Sequence, residues 1–238
     1  MPPPPTVLAP GVWRIPTFGR DLINSFAFVE DDGSVTLVDA GLRGATKKLV
    51  AALGTIGSSP QKVTRILATH AHFDHIGDAR RLRSRTGSAL HVHEHDAGYV
   101  RSGQPPPRDS TVPLARVLDF VQRRQASCEV DGTYTDNEVL PVAGGLRVLH
   151  TPGHTPGHCS FLHEPSGILI TGDALVNFRG KMNWSFAAGC TDFAMSKDTA
   201  ERLGDVDYEL VAFTHGPEIR QGARDAVRGF LRRRLAGD

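Results

Sequence analysis

The sequence predicts an α/β protein in which two β-sheets pack face to face with helices on the outside, and three observations carry the prediction. Short apolar segments rich in β-branched and aromatic residues open each half of the chain, and segments with apolar residues at helical spacing follow them, so strands then helices occur twice. The order lacks the regular strand and helix alternation of a doubly wound parallel sheet. With 238 residues, 39% hydrophobic and 22% charged, the chain can bury a substantial core without covalent help.

The prolines at positions 2–5 predict an extended, solvated arm over residues 1–10, with one folded domain over 11–238. Gly11–Phe18, Ser25–Glu30 and Ser34–Ala40 read as an antiparallel meander, and Asp31-Asp32-Gly33 makes the tight connection between the last two. After Gly41 the period changes. Leu49, Leu53 and Ile56 recur at helical spacing until Gly57-Ser58-Ser59-Pro60 stops the run. A strand at Thr64–Thr69, a helix at Asp78–Thr86 and a strand at Ala89–His93 follow. The proline-rich stretch Ser102–Arg108 reads as a surface excursion. The helix predicted near Pro113–Gln125 carries Leu114, Val117, Leu118 and Val121 on one face and must pack on something. In the second half, strands at Gly145–His150, Cys159–His163 and Gly167–Thr171 precede a long loop, a helix near Ser196–Leu203, a strand at Leu210–Thr214 and a closing helix. That last helix lines Ile219, Ala223, Val227 and Phe230 along one side and leaves Arg224, Arg228 and Arg232 as a solvated face.

Charge and cysteine usage exclude several classes. Lys and Arg number 27 against 26 Asp and Glu, so no global basic field exists to hold nucleic acid or an anionic membrane. Cys128, Cys159 and Cys190 are odd in number and far apart, which argues against a disulfide framework and fits a reducing cytoplasm. No secretory start is present, and no stretch approaches the roughly 18 apolar residues of a membrane span. A cytoplasmic protein without nucleic-acid or membrane partners is therefore expected.

Histidine is the anomaly, because the 11 histidines cluster. His70-Ala71-His72-Phe73-Asp74-His75 follows a predicted strand and offers four metal-ligand side chains within six residues. In extended backbone His70, His72 and Asp74 project to one side, and a turn brings His75 round. Imidazole with carboxylate suits Zn(II), Mn(II) and Fe ions. His154 lies in the first half of a doubled turn, Thr151-Pro152-Gly153-His154 and Thr155-Pro156-Gly157-His158. Asp173 and His215, like His154, stand where an apolar strand runs out into a glycine-containing loop. Taken singly, His154 and His215 read equally as turn histidines and Asp173 as a cap; with the first cluster they make a set of seven. His91, His93 and His95 alternate along a predicted strand and its exit. A further metal site is conceivable there, but a structural or surface role is favoured, since extended backbone points Glu94 and Asp96 the other way.

The order His-x-His-x-Asp-His, then His, Asp and His in separate loops, resembles the metallo-β-lactamase-fold superfamily of hydrolases, in its glyoxalase II-like and lactonase-like branch. The resemblance runs from Gly11 to His215. It implies a four-layer αββα sandwich of two mixed sheets and two divalent metal ions, zinc first, with manganese or iron as alternatives. It implies further that His70, His72 and His154 hold one metal, that Asp74, His75 and His215 hold a second, and that Asp173 bridges them. Asp39, in Leu37-Val38-Asp39-Ala40-Gly41, would buttress the metal loop, His158 would be hydrogen-bonded within the sandwich, and Phe18–Asn24 would form a wall. Cys159 reads as a small buried apolar residue.

Two such cations about 3.5–4 Å apart supply hydroxide at neutral pH, and Asp74 is the candidate catalytic residue that positions the water or passes its proton. Hydrolysis of an ester, thioester or lactone of a small molecule leads. A mononuclear iron persulfide dioxygenase-like activity is second, and a non-catalytic metal-binding module, which would require a damaged site, is third. Only one helix follows His215, which weighs against a glutathione substrate, and Asp173 is followed by Ala174-Leu175-Val176-Asn177 without the tyrosine of quorum-sensing lactonases. Specificity is expected from the loop Val176–Thr191, whose Phe178, Arg179, Lys181, Trp184 and Phe186 suit an anionic or acyl substrate.

Overall fold

Alternation of apolar side chains along the strands decides the architecture. In the computed structural model, which describes residues 3–112, 114–115 and 125–235, seven strands form one sheet in sequence order. They are β1 (Thr6–Ala9), β2 (Val12–Phe18), β3 (Ile23–Val29), β4 (Val35–Val38), β5 (Val63–Leu67), β6 (Ala89–His93) and β7 (Gly132–Tyr134). Pairing is antiparallel from β1 to β4 and parallel from β4 to β7. A second sheet contains β8 (Val139–Leu140), β9 (Leu146–His150), β10 (Cys159–His163), β11 (Ile168–Ile170) and β14 (Leu210–Ala212), in that spatial order, with only the β11–β14 pair parallel. A separate hairpin joins β12 (Leu175–Phe178) to β13 (Lys181–Trp184). The described helices are α1 (Ala45–Thr55), α2 (Phe73–Ile76), α3 (Ala79–Thr86), α4 (Glu94–Ser102), α5 (Phe193–Ala200) and α6 (Ala223–Leu235).

Successive residues on a strand face opposite ways, and here both faces are apolar. Phe26 and Phe28 of β3, Val148 of β9, Phe161 of β10 and Ile168 and Ile170 of β11 meet between the sheets. Ala27 of β3 and Leu37 of β4 turn instead to Leu49 and Leu53 of α1, Leu82 of α3 and Val100 of α4. Leu149, Leu162, Leu169 and Val211 of the second sheet turn to Ala200 of α5 and Val227 and Leu231 of α6. Three apolar layers separated by two sheets make four layers of structure, the αββα sandwich expected. Among the described residues no helix is long and apolar enough to cross a membrane.

Several elements depart from expectation. The arm is shorter than residues 1–10, because Thr6–Ala9 pairs with β2 and puts Leu8 into the inter-sheet core. The stretch after Asp173, expected as one long loop, opens with the β12–β13 hairpin. Helix α4 has no counterpart among the expected elements, since Ala97 and Val100 alone make its buried apolar face and so weak a period escapes detection. Strand β7 has three residues and Tyr134 donates its hydroxyl to the Ala68 carbonyl, contacts that a local pattern does not encode. The helix expected near Pro113–Gln125 falls mostly on 113 and 116–124, outside the described residues.

Strands β4, β5 and β6 run parallel, and β9, β11 and β14 share one direction in the other sheet. Asp39, His70 to His75, His154, Asp173 and His215 all lie just beyond the C-terminal ends of these strands. The sandwich thus delivers them to its rim.

Candidate metal centre

All seven residues singled out in the sequence converge. His72 Nδ1 lies 2.9 Å from His154 Nε2, and Asp173 Oδ2 lies 3.3 Å from the same His154 nitrogen. Asp173 Oδ1 is 3.3 Å from both His75 Nε2 and His215 Nε2, while Asp74 Oδ2 is 3.5 Å from His215 Nε2 and 3.7 Å from His75 Nε2. Donor atoms of His70, His72 and His154 lie within 4.8 Å of one another, as do those of Asp74, His75 and His215 and those of His70, His75 and Asp173. One local expectation is corrected. Strand β5 ends at Leu67, the chain bends over 69–71 and only His72 is extended again, and Asp74 and His75 enter from the first turn of α2, so helical rather than extended geometry aims the carboxylate.

The outward ring nitrogens are held, which aims the inward ones. His75 Nδ1 meets Asp39 Oδ2 at 2.8 Å, His215 Nδ1 donates to Leu22 O at 2.6 Å, and His70 Nδ1 meets the Thr69 hydroxyl at 3.1 Å. His154 Nδ1 faces Ser185 Oγ at 3.1 Å and Cys190 Sγ at 3.3 Å. Asp39 also accepts from the Thr69 backbone N–H at 2.7 Å, and so buttresses the metal loop as expected; its φ of 64° is one that aspartate tolerates better than most residues. His158 is not among the converging donors. Its Nδ1 donates to Thr151 O at 3.0 Å and its Nε2 accepts from the Asp173 backbone N–H at 2.8 Å. Gly172 (φ 53°) makes that approach possible, because a Cβ there would stand 2.6 Å from the His158 ring.

The buried Nε2 atoms of His70 and His75 make no hydrogen bond. Orphaned inward nitrogens beside two carboxylates are what a cation site leaves behind, and the donor set of imidazole and carboxylate fits a divalent metal. Electrostatics agree. Burial holds His70 and His72 well below the usual imidazole range and His154 down at about 4, so all three are neutral at pH 7. Burial acts against the charged forms of His75 and His215 as well. There the Asp173 charge first, with Asp74 and other contacts, overcomes it and holds them up at about 10 and about 9. The metal-free site therefore keeps two protons where a metal would otherwise balance the carboxylates. Those protons stabilise the metal-free fold fully below an unfolded value of about 6.5, and that contribution is lost as pH rises through 9 to 10. Loading the site at pH 7 is expected to release about two protons per chain, from His75 and His215, measurable by titration calorimetry in buffers of different ionisation enthalpy.

Beside these donors lies a cavity of about 270 Å³ lined by Phe73, Arg108, Val176, Phe178, Phe186 and Gly189. Phe73, Phe178 and Phe186 are exposed at its mouth. Of the five loop side chains singled out for specificity, Phe178 and Phe186 line the cavity, joined by Val176 and Gly189 of the same loop. Trp184 packs against Phe230 with ring centroids 4.9 Å apart and planes tilted by 53°, while Arg179 sits at the hairpin turn and Lys181 is exposed. The cation at the cavity is Arg108, from the proline-rich stretch expected as a surface excursion. Phe18–Asn24 is not a wall; it supports His215 from behind through Leu22 O.

Asp96 is a buried link between the site's segments that the sequence pattern does not announce. It is buried in α4 and accepts from Ala71 N at 2.8 Å, Thr155 Oγ1 at 2.7 Å and Gly157 N at 2.7 Å, tying the His70–His75 segment to the doubled turn. Cys159 is fully buried with its thiol held well above the ordinary range by burial, as expected of an inert residue. His93, beside the exposed His95, is buried.

An αββα sandwich whose strand ends deliver seven histidine and aspartate side chains to one rim defines a metallo-hydrolase scaffold. The chain belongs to the metallo-beta-lactamase superfamily, whose sequence profile matches residues 19–215. It is similar to hydroxyacylglutathione hydrolase GloC of Haemophilus influenzae, 28% identical over 85% of this chain and 89% of the relative. It is also similar to an N-acyl homoserine lactonase of Bacillus cereus, 29% identical over 74% of this chain and 65% of the relative. Among solved structures, a metallo-beta-lactamase family protein from Thermus thermophilus superposes with a TM-score of 0.74 at 26% identity, over 97% of this chain and 81% of that one.

Proposed function

We propose that the protein hydrolyses an ester, thioester or lactone bond of a small molecule that carries an apolar acyl group and a negative charge, using two divalent metals, zinc first. The observation that carries the proposal is the convergence of His70, His72 and His154 on one side of Asp173 and of Asp74, His75 and His215 on the other, beside an aromatic cavity. Metals held by these seven residues would supply hydroxide at neutral pH and a Lewis acid for the scissile carbonyl. Asp74, with a side chain 20% exposed, is the carboxylate of the set nearest solvent. It takes the proton released as the water oxygen adds to the carbonyl carbon, and returns it to the alkoxide or thiolate as the C–O or C–S bond breaks. Phe178 and Phe186 cover the acyl chain, and Arg108 faces the charge. Relatives named as a hydroxyacylglutathione hydrolase and an N-acyl homoserine lactonase support this range of bonds.

A panel of p-nitrophenyl esters, acyl thioesters and acyl lactones, assayed on protein with its metals counted, tests the reading. Turnover of carboxylate-bearing acyl substrates above neutral ones is expected, and a single iron per chain with oxygen uptake would overturn the proposal. Phe178→Ala is expected to raise KM for the longest acyl chains about tenfold with kcat nearly unchanged, since the lost apolar contact is worth about 1.4 kcal/mol. An equal fall in kcat would instead place Phe178 in the chemical step.

A further inference from the structure

Away from the seven donors, His93, His95 and His150 form a second group of imidazoles, and we propose that they bind one transition-metal ion of the Zn(II) or Cu(II) class as a clamp between the two sheets. The inference stands apart from the hydrolytic site. His93 ends β6 of the first sheet, His95 is the second residue of α4, and His150 ends β9 of the second sheet. One donor atom from each lies within 4.8 Å of the other two, so a single ion can reach all three. The His93 and His150 rings stack at 4.0 Å with 14° between their planes, and His95 stands 5.0 Å from one and 5.5 Å from the other.

Three observations prepare these rings for a metal. The His150 Nε2–H donates to Pro156 O at 2.9 Å, which fixes the tautomer and leaves Nδ1 with a free lone pair. His93 is buried, with its ring between His150, stacked at 4.0 Å, and Tyr134, whose centroid lies 6.2 Å away, so its position is fixed before any ion arrives. The charged groups facing the cluster are Glu94, 3.8 Å from His95 Nε2, and Asp136, whose Oδ1 takes the His150 backbone N–H and Arg202. Arg202 neutralises Asp136, while Glu94 is exposed and can complete the coordination. One existing contact opposes binding. His93 Nδ1 accepts the His95 backbone N–H at 3.3 Å, and coordination through either nitrogen requires the ring to give up this long bond, which weakens binding.

The placement gives the ion something to do. Pro156, which holds His150, belongs to the doubled turn that carries His154, and Asp96, one residue after His95, grips the same turn through Thr155 and Gly157. An ion on His93, His95 and His150 therefore braces the turn from outside the hydrolytic site.

The experiment is a calorimetric titration of the metal-loaded protein with Zn(II) alone and, separately, Cu(II) alone, on wild type and on His95→Ala. The His95 side chain is 56% exposed, so its removal leaves the fold intact. The wild type is expected to take up one equivalent more than His95→Ala, with the hydrolytic rate of the two proteins equal before titration. His150→Ala should lose the same equivalent, and Cu(II) electron paramagnetic resonance should show one nitrogen-coupled signal in the wild type beyond those of either variant. Equal uptake by wild type and both variants would overturn the clamp. Because the comparison is a difference between proteins that share the seven main donors, failure of the hydrolytic reading leaves this result intact.

Discussion

Asp173→Ala is expected to lower kcat/KM by about three orders of magnitude and to leave less than the wild-type complement of metal on the protein. Asp173 is the one member of the set with an oxygen facing each group: Oδ2 toward His154, and Oδ1 toward His75 and His215. Removing one preorganised electrostatic group at a reacting centre costs about 10²–10³ in rate, and a carboxylate that would join the two proposed cation sites belongs at the top of that range. Truncation also removes the charge that holds His75 and His215 in their protonated forms without metal, so the metal-free variant should lose stability at pH 7 relative to the metal-free wild type. Asp173→Asn separates shape from charge. It keeps an oxygen for the Thr214 hydroxyl, now 2.8 Å from Oδ1, yet should still lose most activity because the charge is gone. Steady-state kinetics with elemental analysis of the same samples checks both variants. Wild-type turnover by either one at full metal content would remove Asp173 from the centre.

Most of this centre was legible because metal ligation imposes residue type and spacing at once. His70, His72, Asp74 and His75 stand in six residues, and His154, Asp173 and His215 each follow an apolar strand. The strands of the inter-sheet core were legible for a related reason. Cys159–His163 is fully buried and carries Phe161 and Leu162 on opposite faces, and its bounds are the ones expected. What was hidden depends on tertiary contact. The direction of Asp74 required knowing that helix α2 begins at Phe73, and nothing in a four-residue helix announces itself by period. Arg108 reaches the cavity only because its loop folds back over the rim, a long-range event with no local signature. Asp39 became visible through resemblance, and its bond to His75 spans 36 residues.

Asp96 illustrates the same limit, and its removal carries the second large effect. Asp96→Ala should destabilise the protein by roughly 3 kcal/mol, because two buried backbone N–H groups and one buried hydroxyl lose their acceptor at about 1–3 kcal/mol each. The lower end of the sum applies. Burial pushes the Asp96 carboxyl up to about 6, against the hydrogen bonds from Thr155, Gly157 and Ala71, so ionising it at pH 7 already costs the fold something that alanine recovers. The sign follows: the wild-type carboxyl favours the fold most below its unfolded value of about 4 and loses that contribution as pH rises through 6, so the penalty of Asp96→Ala should be larger at pH 5 than at pH 7. A loss of about 3 kcal/mol lowers the melting midpoint by about 6–12 °C in a chain of this size. Activity should fall further than folding. Ala71 lies between His70 and His72, and Thr155 and Gly157 follow His154, so the freed segments carry donors from both sheets. A displacement of about 1 Å costs about 10² in rate. At a temperature where circular dichroism shows Asp96→Ala fully folded, kcat/KM is therefore expected to be about a hundredfold below wild type, with Thr155→Val, which removes only the hydroxyl, far milder. Wild-type kcat/KM in the folded Asp96→Ala protein would show that the two segments hold their places without this carboxylate.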